Sequence, residues 1–150
     1  MQRFTLFVLV VLLTISCTSS SKKEIPNASQ SGTDEITTDS GLRYSITQTG
    51  SGPEVENGKQ ITAHCILTLE DGTLIWSSRD EGREYIFVQG VTSHIPGFEE
   101  ALSYMKQGDR LKVHIPSNLG YGPGGRGSIP PNANLIFDIE VLAVGDRSDL

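Results

Sequence analysis

The sequence predicts an α+β domain in which an antiparallel sheet of five or six strands wraps around one short helix. Two observations lead to this prediction. Short segments of alternating apolar and polar residues recur between glycine-rich turns, whereas apolar residues recur at helical spacing in one place only. The 150 residues include 16 glycines, which is typical of turn-rich β structure, and this length accommodates one domain of ordinary size.

Alternation of apolar and polar side chains marks the predicted strands. In the longest of them, the odd-numbered residues from Ile61 to Leu69 form an apolar face and the even-numbered residues form the other face. The Asp71-Gly72 pair that follows is a hairpin turn signal. In chain order, the predicted strands cover residues 42–46, 61–69, 73–76, 84–88, 111–115 and 134–144.

The single predicted helix begins after the Pro96-Gly97 pair. From Phe98 to Met105, apolar residues recur at the spacing of one helical face. Glu99 in the first turn and Lys106 in the last turn would both complement the helix dipole. The helix is therefore predicted to extend as far as Lys106.

The N-terminal residues 1–16 are predicted to be a signal peptide. Arg3 is their only charged residue, and the apolar run from Phe4 to Leu13 is too short for a membrane-spanning helix. Residues 13–17, Leu-Thr-Ile-Ser-Cys, resemble the bacterial lipobox, in which the cysteine, here Cys17, is lipidated and becomes the mature N-terminus. An uncleaved N-terminal anchor is the alternative interpretation.

The remaining chain divides by composition. Residues 17–40 are polar and rich in Ser and Thr, and they are predicted to be a flexible tether. Residues 41–146 form the predicted domain, and residues 147–150 a tail. We therefore expect an exported protein that is lipid-anchored to a bacterial membrane, most simply the outer membrane, facing the periplasm or exposed at the surface. The predicted elements do not include a dimerisation helix, which favours a monomer.

Composition argues against several functions. The net charge is −6 and no basic run is present, so nucleic acid is not an expected partner. The three histidines, His64, His94 and His114, have no metal-ligand spacing, and neither a metal nor a cofactor is expected. Cys65 lies on the apolar face of its strand, which indicates a buried, inert thiol rather than a nucleophile.

A glycine-rich loop around Tyr121 is the remaining candidate site. Residues 120–127 contain five glycines, but neither a Lys-Ser/Thr pair nor a helix follows, so a phosphate-binding loop is excluded. An aromatic residue on a loop near an apolar strand end is instead typical of the rim of a binding site.

The separate motifs, taken together, resemble the FKBP-type peptidyl-prolyl cis-trans isomerases, the immunophilin family that binds tacrolimus and rapamycin. The similarity covers roughly residues 42–144. Its markers, in family order, are Leu69-Glu70-Asp71-Gly72, Ser77-Ser78-Arg79-Asp80, Ile95-Pro96-Gly97-Phe98-Glu99-Glu100-Ala101-Leu102, Met105-Lys106-Gln107-Gly108, Gly120-Tyr121-Gly122, Ser128-Ile129-Pro130-Pro131-Asn132-Ala133 and Leu135-Ile136-Phe137-Asp138.

The resemblance implies an enzyme that accelerates rotation of X-Pro bonds in exported polypeptides, through an apolar pocket and without covalent catalysis. It implies Phe98 as the pocket floor, Tyr121 as a hydrogen-bond donor to the carbonyl of the bound peptide or macrolide, and Phe137 as part of the same catalytic set. His94 is expected at the pocket entrance. The further substrate-binding residues that it implies are Tyr85, Ile95, Ile129, Ile75, Trp76 and Cys65.

Several positions depart from the family pattern. Ile75-Trp76 stands where Phe-Asp is common, Phe98 where Trp is most frequent, and Cys65 where Tyr is usual. The loop around Tyr121 is also about one residue shorter than in common members. We therefore expect weak binding of macrolides such as tacrolimus or rapamycin and reduced catalytic strength.

Two other functions remain open from the sequence. One is a non-catalytic or weakly catalytic chaperone or peptide-binding lipoprotein that uses the same groove. The other is a structural lipoprotein with a vestigial site, which applies if Trp76 blocks the groove.

Overall fold

The structure, a computed structural model, describes residues 34–146. These residues contain seven β-strands and one short α-helix. The strands are β1 (Ile36–Thr37), β2 (Arg43–Gln48), β3 (Gln60–Leu69), β4 (Leu74–Ser77), β5 (Tyr85–Val88), β6 (Arg110–Ile115) and β7 (Leu135–Gly145). The helix is α1 (Pro96–Leu102), and single 3-10 turns cover Ser117–Leu119 and Gly122–Gly124. The predicted fold class is confirmed.

The strand order is β1-β2-β6-β7-β3-β4, and β5 pairs with β3; every pairing is antiparallel. β3 pairs with β7 along its whole length, but two strands share its other edge. Its residues 60–63 pair with β5 and its residues 66–68 pair with β4. Residues 78–84, which connect β4 to β5, therefore leave this edge of the sheet.

The core lies between the inner face of the sheet and the helix. Ile61, Ala63, Cys65 and Leu67 are buried, as the alternation in β3 predicts. The core continues onto the facing residues of β6, β7 and α1, namely Leu111, Val113, Ile115, Leu135, Phe137, Ile139, Val141, Phe98, Ala101 and Leu102. Burial of one face by each element is what fixes the helix against the sheet.

The helix is shorter than predicted, because α1 ends at Leu102 and the expected end at Lys106 is wrong. The Ser103 hydroxyl donates to the carbonyl of Glu100 at 2.6 Å, and the Met105 amide donates to the carbonyl of Leu102 at 3.0 Å. Such local bonds tighten the chain into successive turns and compete with continuation of the helix. Met105 is nevertheless buried, so its apolar side chain reflects core packing beyond the helix.

The chain before β2 also differs from the prediction. Ile36–Thr37, inside the segment predicted to be a flexible tether, forms β1 and pairs with Arg43 and Tyr44. Gly41, with φ of +90°, makes the tight return between the two strands. The predicted signal peptide, Cys17, residues 17–33 of the predicted tether and the predicted tail 147–150 lie outside the described residues. Within residues 34–146, no helix is long and apolar enough to cross a membrane.

Candidate active site

An apolar cleft of about 710 Å³ is lined by residues of β3, β4, β5 and β7, the start of α1 and the loop after β6. The structure brings together at this cleft all ten residues that the resemblance assigned to the pocket: Cys65, Ile75, Trp76, Tyr85, His94, Ile95, Phe98, Tyr121, Ile129 and Phe137. Residues that the sequence reasoning missed also line it: Leu67, Ser93, Pro96, Arg126, Gly127 and Ser128. Of these, Leu67 follows from the β3 alternation, whereas the loop residues carry no periodic signal.

Two phenylalanines form the floor of the cleft. Phe98 is 3% exposed and Phe137 is 7% exposed, and their ring centroids lie 5.1 Å apart at an interplanar angle of 55°. Phe98 is on the buried face of α1, and Phe137 points inward from β7, where it pairs with Val113 of β6 and Leu67 of β3. The floor is thus part of the protein core.

Trp76 and Tyr85 form one wall. Their rings meet edge to face, with centroids 5.3 Å apart. The Trp76 indole N–H donates to the Glu81 carboxylate at 2.7 Å, and Arg83 binds the other oxygen of that carboxylate. Both donors lower the pKa of Glu81, the indole more than the guanidinium. Trp76 therefore lines the open cleft, with its one polar atom bound to Glu81.

His94 also lines the cleft, next to Tyr85 of the wall. Its side chain is only 9% exposed, because its ring packs against Phe87 and Phe98 with centroids 4.9 and 5.0 Å away. Its Nδ1 is 2.7 Å from Glu99 Oε1, and its Nε2 is 2.8 Å from the Tyr85 hydroxyl. The sequence did not indicate a role for Glu99 at this site.

The loop that carries Tyr121 is held by backbone bonds. Arg126 and Ile129 exchange two backbone hydrogen bonds of 2.9 Å. Gly125 is required beneath them: its φ is +61°, and a Cβ there would lie 2.4 Å from the Ile129 carbonyl oxygen. The Arg126 guanidinium lies 5.6 Å from the centroid of the Tyr121 ring. Within residues 34–146 the Tyr121 hydroxyl has no hydrogen-bond partner, so it can donate to a ligand.

Cys65 is a poor nucleophile. Burial, and secondarily the charge of Asp138, raise the pKa of this thiol to about 12. The Ser78 hydroxyl accepts the Cys65 amide hydrogen at 3.1 Å and lies 3.1 Å from His64 Nδ1, so His64 contacts Ser78 and not the thiol. In the described part of the chain, no three His, Cys, Asp or Glu side chains lie close enough to hold a metal ion.

This arrangement suits a reaction that needs no covalent bond to the protein. A planar amide is stabilised by a resonance that separates charge, and this resonance is lost when the amide twists. An apolar cleft therefore disfavours the planar state more than the twisted one. A donor placed at the cleft, here the Tyr121 hydroxyl, can hold a substrate carbonyl in the twisted geometry.

Comparisons with known proteins agree with this geometry. The profile of the family described as FKBP-type peptidyl-prolyl cis-trans isomerase matches residues 52–142. The chain is 43% identical over 105 residues to the FK506-binding protein of Neisseria meningitidis serogroup B, covering 69% of this chain and 96% of that protein. It is 40% identical over 107 residues to the FKBP-type peptidyl-prolyl cis-trans isomerase FkpA of Aeromonas hydrophila, covering 71% of this chain.

Solved structures share the fold. The crystal structure of FkpA from Escherichia coli superposes with a TM-score of 0.71 at 33% identity, covering 75% of this chain and 52% of that one. The match spans only 39% of the Aeromonas relative's length, so the similarity to these longer proteins is confined to one part of each. Family profile, relatives and cleft geometry agree that the chain belongs to the FKBP-type peptidyl-prolyl cis-trans isomerases.

Proposed function

We propose that this protein accelerates cis–trans rotation of X-Pro bonds in exported polypeptides. The observation that carries the proposal is the Tyr121 hydroxyl, which has no hydrogen-bond partner within residues 34–146, at the cleft floored by Phe98 and Phe137. Membership of the isomerase family supports the same reaction.

The energetic requirement is modest. Uncatalysed rotation crosses a barrier of about 18–20 kcal/mol and takes tens to hundreds of seconds. Each tenfold acceleration needs about 1.4 kcal/mol of stabilisation that exists only in the transition state. Desolvation in the apolar cleft and one hydrogen bond from Tyr121 can supply this without a nucleophile, an acid–base pair or a metal.

Macrolide binding is expected to be weak in this protein. The family binds macrolides as well as proline-containing peptides. In this chain, Ile75-Trp76 replaces the common Phe-Asp pair, and the only polar atom of Trp76 is engaged with Glu81. A macrolide therefore meets an indole where most family members offer a carboxylate.

Export and lipid anchoring are supported by the sequence of residues 1–17, with its single charge, its apolar run and its lipobox-like end at Cys17. We expect the protein to be found in the membrane fraction of a bacterial host and to incorporate labelled fatty acid. Cys17→Ser is the test variant. A Cys17→Ser protein that still incorporates the label would contradict lipidation at this residue.

The isomerase reaction is tested with the full chain in a protease-coupled peptide assay. Tyr121→Phe removes only the hydroxyl, and we expect kcat/KM to fall about tenfold, the effect of losing roughly one hydrogen bond to the transition state. The matched control is Tyr104→Phe, which removes a tyrosine hydroxyl from an exposed residue outside the cleft.

The two variants separate the possible outcomes. We expect full isomerase activity in Tyr104→Phe and reduced isomerase activity in Tyr121→Phe, and we expect both variants to have the same unfolding midpoint. An absence of acceleration by the wild-type protein at high concentration would contradict the proposed function.

A further inference from the structure

Three side chains from different elements form a continuous hydrogen-bonded chain at the wall of the cleft. Glu99 Oε1 of α1 is 2.7 Å from His94 Nδ1, and His94 Nε2 is 2.8 Å from the Tyr85 hydroxyl of β5. Phe87 and Phe98 pack against the imidazole ring and keep it nearly inaccessible to water. The chain therefore connects a partly buried carboxylate with a hydroxyl that lines the cleft.

The direction of these hydrogen bonds follows from their chemistry. An ionised carboxylate only accepts hydrogen bonds, so His94 Nδ1 must carry the hydrogen in the bond to Glu99. In a neutral imidazole the other nitrogen is then an acceptor. With a neutral imidazole hydrogen-bonded to Glu99 in this way, Tyr85 donates its only hydroxyl hydrogen to His94 Nε2 and can offer only oxygen lone pairs to the cleft.

The hydroxyl of Tyr85 is held in its protonated form by its surroundings. Burial, followed by the neighbouring Cys65, Tyr121 and Glu99, raises the pKa of Tyr85. These three groups belong to β3, the loop after β6 and α1, and the hydroxyl itself contacts His94 Nε2. The tyrosine thus remains a phenol whose single hydrogen is directed by His94.

We infer that Glu99 is a positioning residue for the cleft. Through His94 it makes Tyr85 a hydrogen-bond acceptor, opposite in polarity to the donor Tyr121. The cleft then favours proline peptides that bring an N–H or O–H donor against the Tyr85 wall and a carbonyl to Tyr121. This inference rests on the proposed function for the identity of the ligand, a proline-containing peptide.

A single substitution should reverse the direction of the hydrogen bonds between Glu99, His94 and Tyr85. Glu99 Oε2 accepts the backbone N–H of Gly90 at 3.2 Å, so a glutamine at position 99 must turn its one oxygen toward Gly90. Its amide group then donates to His94 Nδ1, which moves the imidazole hydrogen to Nε2. His94 would donate to the Tyr85 oxygen, and the Tyr85 hydrogen would turn toward the cleft.

The first experiment measures the tautomer. The ¹⁵N spectrum of the full chain is expected to show a protonated Nδ1 and an unprotonated Nε2 for His94. In Glu99→Gln the two nitrogens should exchange their character. Glu100→Gln is the matched control, because it makes the same change at the next residue. The Glu100 carboxylate binds Ser40 and takes no part in the hydrogen bonds between Glu99, His94 and Tyr85, so this variant should leave the His94 signals unchanged.

The second experiment measures the dissociation constant of an acetylated, amidated Ala-Ala-Pro-Phe peptide by NMR titration. Glu99→Gln and Tyr85→Phe each remove the acceptor, and each should weaken binding between about twofold and tenfold, the effect of one hydrogen bond. Combined, they should weaken binding no more than Tyr85→Phe alone, because Glu99 acts only through Tyr85.

Two results would overturn the inference. One is a wild-type His94 with its hydrogen on Nε2. The other is an effect of Glu99→Gln on peptide binding that persists undiminished in the Tyr85→Phe background, since that pattern means a general structural role for Glu99. If Glu99→Gln does not fold, Tyr85→Phe alone must weaken binding while His94 keeps its Nδ1 hydrogen.

The same spectra distinguish this inference from the proposed function. Exchange between the cis and trans signals of the peptide reports isomerisation by the wild-type protein, whereas the tautomer and the dissociation constant do not depend on turnover. Absence of exchange would refute the proposed function alone.

Discussion

The floor and the rim of the cleft are built in different ways. Phe98 and Phe137, at the floor, are buried residues of a helix and a strand, and their rings pack against each other at a tilt within the core. Tyr121, at the rim, is a half-buried loop residue that contacts Arg126, and its hydroxyl has no hydrogen-bond partner within residues 34–146. Packing therefore determines where a ligand can lie, whereas an unpaired polar atom on a loop determines which group of the ligand is bound. Substitutions at the floor should therefore change both stability and activity, and substitutions at the rim should change activity alone.

The largest expected effect is at the floor. Phe98→Ala removes a buried aromatic ring from the core, and the free energy of unfolding should fall by about 3–5 kcal/mol. Isomerase activity should also be lost, since the cleft would lose one of the two rings that form its floor. Urea denaturation of the full chain measures the first quantity. A loss of activity with unchanged stability would contradict the assignment of Phe98 to the core.

Cys65 tests the buried side of β3 that lines the cleft. Because burial raises the pKa of its thiol to about 12 from an ordinary value of 9.0, alkylation at pH 8 should be roughly a thousandfold slower in the folded protein than in urea. The folded state retains the thiol hydrogen to higher pH than the unfolded state does. Its contribution to stability is therefore present below about pH 9 and is lost as the pH rises toward 12.

Mass spectrometry of the peptide containing Cys65 after timed iodoacetamide treatment distinguishes this thiol from Cys17. Equal alkylation rates in the folded and denatured protein would show that the cleft side of β3 is accessible to solvent.

The rim is tested at two adjacent glycines. Gly125→Ala combines a φ of +61° with a contact of 2.4 Å to the Ile129 carbonyl oxygen, so the loop must rearrange. We expect about tenfold lower isomerase activity, with the core strands still folded by circular dichroism. Gly124→Ala is the control, because its Cβ would meet no atom within 4 Å. Equal activity of the two variants would mean that the loop conformation does not matter.

The smallest expected effect is optical. Trp76 is the only tryptophan and lines the cleft, so its emission should shift by a few nanometres when a proline peptide saturates the protein. Trp76→Phe should abolish the signal and weaken the binding only slightly. An unchanged spectrum at saturation, with binding confirmed by NMR, would contradict the position of Trp76 in the wall.

The sequence predicted most of the sheet, because alternation in β3, β6 and β7 is imposed by burial of one face. It did not predict β1, since a strand of two residues flanked by polar residues carries no alternation. The end of α1 was misplaced because Met105 continues the helical spacing although the backbone has already turned at Ser103.

The site was predictable to a different degree. The pocket residues were identified through resemblance to a family. Without that resemblance, core packing is the favoured interpretation for Phe98, Ile95 and Phe137, and a solvated loop aromatic is the favoured interpretation for Tyr85 and Tyr121. The bonds that join Tyr85, His94 and Glu99 depend on how β5 and the start of α1 meet in three dimensions. No spacing along the chain encodes that meeting.

Two-dimensional NMR exchange spectroscopy on a proline peptide, with catalytic amounts of the full chain, measures whether the cleft lowers the barrier to X-Pro rotation. We expect cross-peaks between the cis and trans signals with the wild-type protein, and cross-peaks about tenfold slower to build up with Tyr121→Phe. Absence of cross-peaks with folded, peptide-binding wild-type protein would contradict this expectation.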